Sequence, residues 1–148
     1  MHHDAAAQAQ VRIGTVGAAA TAGGGLLVTP RHLVTCAHVV ADACGARRLA
    51  FEPAPPDAAI PLDLPLLPRT FATTARVVHW VPMRESDPAH PLGADSNAKA
   101  PEDLAVLELA EPLPPDAAQA PLLALESGDY RDLPVHCCGF PAGAEQGA

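Results

Sequence analysis

The stretch GGGLLVTPRHLVTCAHVV, residues 23–40, decides the fold. Its apolar residues come in two short runs, 25–29 and 32–35, joined by Thr29-Pro30-Arg31-His32, where threonine and proline favour a turn. Two such runs about a tight connection predict a pair of neighbouring strands. The second run passes into AHVVADAC, residues 37–44, where alanines favour helix and Gly45 supplies a stop. His38 therefore falls at a strand-to-helix junction, a position that holds a side chain rigidly while letting it reach a cleft.

Outward from this stretch, β-branched enrichment and period-two alternation predict further strands at 11–16, 47–52, 74–80, 104–109 and 135–139. No ten-residue segment carries a sustained helical stripe. Short strands bounded by turn signals predict an all-β barrel or sandwich. Between them lie EPAPPDAAIPLDLPLLPRT (52–70) and PMRESDPAHPLGADSNAKAPE (82–102). Each proline removes a ladder donor and biases its predecessor to an extended shape, so both segments are predicted to be long surface loops rather than central strands or helices.

At 148 residues, 49% hydrophobic and 18% charged, the chain can bury one good core, as a single domain or as part of a larger one. Its formal net charge of −8 argues against nucleic acid as a partner, because tracking phosphates requires a basic stripe. Proline, glycine, threonine or charge interrupts every apolar run well short of the roughly 18 to 20 residues of a membrane span, so no membrane partner is expected. The start, MHHDAAAQAQVRIG, lacks a basic segment followed by an apolar one, which predicts a cytoplasmic protein; secretion stays open if the start is incomplete.

Cys36, Cys44, Cys137 and Cys138 form no C-x-x-C pair, and the adjacent Cys137 and Cys138 are poorly spaced to grip one zinc ion together. Nothing in their spacing selects a disulfide pairing. They are expected to be reduced and mostly buried, behaving as small apolar residues, with no metal and no organic cofactor implied.

A histidine on an apolar segment is more often structural than chemical, so the company of His38 matters. Downstream, EDLAVLEL (102–109) places Asp103 at the mouth of an alternating strand, with Ala105, Leu107 and Leu109 on one face and Leu104, Val106 and Glu108 on the other. Farther on, VHCCGFPAG (135–143) runs from an apolar strand into Gly139-Phe140-Pro141.

These three elements, in this order, resemble the trypsin-like serine peptidases of bacterial type. That family presents its catalytic histidine in a Thr-x-Ala-His sequence after a glycine-rich entry. Its aspartate opens an Asp-hydrophobic-Ala-x-Leu-x-Leu strand, and a Gly-aromatic-Pro element starts its second barrel. The resemblance covers most of the chain. It implies a six-stranded antiparallel Greek-key β-barrel over 1–133 and the beginning of a second barrel over 134–148. It further implies His38 as general base and acid, Asp103 as the residue that orients it, and a protein or peptide as substrate.

The chain departs from the family at the nucleophile, which belongs in a Gly-x-Ser-Gly-Gly turn of the second barrel. Ser86, Ser96 and Ser127 are the serines present, and none stands in such a turn. Ser127, in LESGDY, has Leu125 and Asp129 where glycines belong, and it precedes the Gly-Phe-Pro element; it reads as a loop serine. Cys137 and Cys138 lie inside an apparent strand rather than on an exposed turn, which does not suit a nucleophile. The chain is thus expected to carry the His and Asp half of a serine endopeptidase, inactive by itself. Its apolar flank would be met by a C-terminal barrel or by self-association. Two other readings are a protease-derived barrel that binds a protein partner without catalysis, and an unrelated barrel with a core histidine.

Overall fold

The computed structural model describes residues 8–67, 69, 71–84, 102–115 and 140. Six strands close into an antiparallel β-barrel: β1 (Gln10–Gly14), β2 (Thr21–Leu27), β3 (His32–Thr35), β4 (Ile60–Asp63), β5 (Ala72–Val81) and β6 (Leu104–Leu109). Their order around the barrel is β1-β2-β3-β6-β5-β4, with β4 returning to pair with β1. The strands predicted at 32–35 and 104–109 stand at those bounds. Those predicted at 11–16, 25–29 and 74–80 are shifted or lengthened by a few residues. The expected strand at 135–139, with Cys137 and Cys138, lies outside the described residues, as do Ser86, Ser96 and Ser127.

Alternation builds the core. Val11 and Ile13 of β1, Leu27 of β2, Leu33 of β3, Ile60 and Leu62 of β4, and Ala105, Leu107 and Leu109 of β6 turn inward and are buried. Each fully buried aliphatic side chain contributes about 1.5–3 kcal/mol through removal from water. A helix, α1 (Ala37–Ala43), packs against the barrel through Val39, Val40 and Ala43. Gly45, with φ +72°, ends it as the glycine stop predicts.

Two expectations need correction. Residues 47–52 do not form a strand; Arg47–Phe51 is a 3-10 helix whose Ala50 is buried. In a closed barrel each strand already has two neighbours, so this segment finds no free edge to pair with. It serves as a tether instead: the Ala50 carbonyl accepts the Met83 N–H at 2.7 Å, and the Glu52 carbonyl accepts Trp80 Nε1–H at 2.9 Å.

The segment 52–70 is likewise not all loop, since it contains β4 with Pro61 inside it. The Pro61 carbonyl faces Gly14 of β1, and a residue's N and O point to the same side of an antiparallel strand. The missing donor therefore falls on the β1 side, where the register includes only Leu62 and Asp63. Pro61 costs no ladder bond there. The short β1–β4 seam is clamped by Arg12, which donates to the Asp63 carboxylate through Nε at 2.9 Å and Nη2 at 2.5 Å.

Candidate active site

The β3–β6 ladder brings the two site residues together. It pairs Val34 with Val106 and Thr35 with Ala105. Continued by two residues, that register sets Asp103 opposite Ala37, next to His38. Neither strand extends so far, because at Cys36, still in extended conformation with φ −86° and ψ 147°, the chain turns into α1. The buried Thr35 secures this turning point by donating its hydroxyl to the Gly24 carbonyl at 2.8 Å.

Helix starts leave their first N–H groups without intrahelical acceptors. Cys36, at the N-cap position, makes no side-chain cap. Asp103 supplies it from across the barrel, accepting the His38 backbone N–H on Oδ1 at 3.0 Å. Its other oxygen, Oδ2, lies 2.6 Å from His38 Nδ1. An ionised carboxylate only accepts, so the ring proton belongs on Nδ1, and the neutral imidazole keeps its lone pair on Nε2. No described residue bonds Nε2. The side chains are partly open to solvent, 31% for His38 and 23% for Asp103. The pair is therefore rigidly placed on one side and accessible on the other.

Cys36 completes the cluster. Its sulfur, a His38 ring nitrogen and an Asp103 oxygen all lie within 4.8 Å of one another. Burial, then the charge of Asp103, then a hydrogen bond to that carboxylate push the thiol above its ordinary value. Cys36 is thus held as a neutral thiol, unsuited to act as a nucleophile in this setting. The alternation in 104–109 made Asp103 visible as a strand-mouth residue, whereas the approach of Cys36 follows from the helix start and had no signal in the cysteine spacing. Cys44, also a free thiol, is raised by burial alone.

The arrangement can draw a proton toward Nε2 and stabilise the resulting imidazolium through Asp103. A separate groove of about 380 Å³ at the β1–β4 seam, lined by Arg12, Gly14, Thr21, Pro61 and Asp63, includes neither residue of the pair. Among the described residues, no helix is long and apolar enough to cross a membrane. Compared with family models and with curated proteins, the sequence matches none.

Proposed function

We propose that this barrel carries the His–Asp half of a trypsin-like serine endopeptidase. The observation that supports it best is the double engagement of Asp103, which accepts both the backbone N–H and the Nδ1–H of His38. A carboxylate held this way fixes the imidazole tautomer with Nε2 free to take a proton from a serine hydroxyl. The imidazolium then returns that proton to the leaving amine, while Asp103 stays ionised and stabilises it. The closed six-stranded antiparallel barrel is the architecture that the sequence resemblance implies, and it adds support. Backbone donors around the tetrahedral intermediate belong to the second barrel in such enzymes, as does the pocket that reads the substrate. The partners proposed are a protein or peptide substrate and a C-terminal barrel.

A second reading keeps the barrel and drops the chemistry. It is favoured by solvent-exposed Val78 and Leu104, which would suit a protein partner or a second copy. A fluorophosphonate probe, which labels activated serines, separates the two. The chain alone is expected to stay unlabelled. Joined to whatever its reading frame encodes beyond Ala148, it should label, and His38→Ala should abolish that labelling. A frame that encodes no such serine, or labelling indifferent to His38, overturns the peptidase reading.

A further inference from the structure

We propose that Cys36, His38 and Asp103 form a binding site for a thiophilic divalent cation of the zinc type, with a fourth position open to water. Their three donor atoms already lie within 4.8 Å of one another. Tetrahedral zinc, with bonds of about 2.0–2.3 Å, places its ligand atoms about 3.3–3.8 Å apart. All three donor atoms sit on rotatable side chains, while the backbone positions are set by the β3–β6 register and the start of α1. Thiolate with imidazole selects zinc or cobalt, whereas magnesium and calcium prefer all-oxygen shells. Partial exposure of His38 and Asp103 leaves a path for the ion and room for a water ligand.

Proton and cation are alternative occupants. The 2.6 Å separation between Nδ1 and Oδ2 is a hydrogen bond and too short for neighbouring ligands on one ion, so binding opens it. The Cys36 thiol releases its proton to solvent as the sulfur–metal bond forms, an ionisation that a coordinating metal drives. The Nδ1 proton gives way to the metal and the ring takes up a proton at Nε2, a change of tautomer without change of charge. One proton is released per ion bound. With Nε2 turned from acceptor to donor, His38 can no longer act as a base. That inhibitory consequence rests on the peptidase reading; the binding itself does not.

Cobalt(II) added to the reduced full chain tests this directly. A thiolate-to-cobalt charge-transfer band and intense tetrahedral visible bands are expected at one ion per chain, bleached by zinc. Cys36→Ala should remove the charge-transfer band, and His38→Ala should weaken binding by more than about 100-fold, since even outer-shell partners cost 10–100-fold. Cys44→Ala and the double change of Cys137 and Cys138 to Ala should leave both bands. Absence of the bands in the unaltered chain, or their survival in Cys36→Ala, overturns the proposal. Nitrogen-detected NMR of the unaltered chain gives a readout independent of any variant's folding. Zinc should move the His38 ring proton from Nδ1 to Nε2, and an Nδ1–H signal persisting at saturation refutes the site. A negative fluorophosphonate result leaves these spectra unchanged, so the two proposals fail separately.

Discussion

Asp103 has two tasks, and substitutions can separate them. As the cap of α1 it needs only an acceptor for the His38 N–H, whereas as the orienter of the imidazole it needs a second acceptor facing Nδ1. Asp103→Asn can keep the first while presenting an amide N–H to the ring. It is expected to lose little stability and to shift His38 to the Nε2–H tautomer, read by nitrogen chemical shifts. Asp103→Ala loses the cap as well and should cost about 1–2 kcal/mol in urea unfolding. Equal losses in the two variants, with the tautomer unchanged, would contradict this division. His38 and Asp103 were legible in the sequence because each stands at the end of a short apolar run, and strand ends are where a rigid scaffold meets solvent. The capping bond and the nearness of Cys36 were not, since both depend on where α1 turns away from β3.

The glycine run ahead of β3 shows how closely the elements fit. A Cβ on Gly23 would lie 2.8 Å and 2.9 Å from the two methyls of Val39 on α1, and one on Gly25 would meet Leu33 at 2.9 Å and the Val34 carbonyl at 3.0 Å. At Gly24 the nearest atom is a Phe140 ring carbon at 3.4 Å, an ordinary contact. Gly23→Ala and Gly25→Ala are therefore expected to destabilise by about 1–3 kcal/mol, the usual cost of overpacking, and Gly24→Ala by much less. Because Val39 neighbours His38, Gly23→Ala should also perturb the His38 ring signals; an unperturbed His38 would show that α1 yields without moving the site. The glycines marked this region as unusual, but which of them faces the helix and which the neighbouring strand follows from the pleat and the register. The same limit explains β4 and the 3-10 helix. Local composition scored Pro61 against a strand and Arg47–Phe51 for one, and the seam between β1 and β4 and the lack of a free edge reversed both.

Folding as a unit also links the thiols to pH. Cys36 and Cys44 pack against the core, and both are raised in the folded chain from an ordinary value of 9.0. Unfolded thiols ionise first as pH rises, so the folded state then holds more protons than the unfolded one. The associated stability is fully present below 9.0 and is lost as pH climbs through the raised folded values. The urea midpoint should fall between about pH 8 and about pH 10, and the fall should be smaller in a Cys36→Ala, Cys44→Ala double variant. An equal fall in that variant would assign the alkaline loss to other groups.

Strand periodicity and turn residues were enough to predict an all-β barrel or sandwich with a histidine at one junction and an aspartate at one strand mouth, and the resemblance carried by three motifs narrowed this to a barrel. These are local properties, set by side-chain alternation and by turn residues within a few positions of one another. Barrel closure, the approach of Asp103 to the backbone N–H and Nδ1 of His38, and the joining of Cys36 to that pair lie beyond any local pattern. They arise because β3 and β6, far apart in the chain, share one ladder whose register carries Asp103 to the first turn of α1.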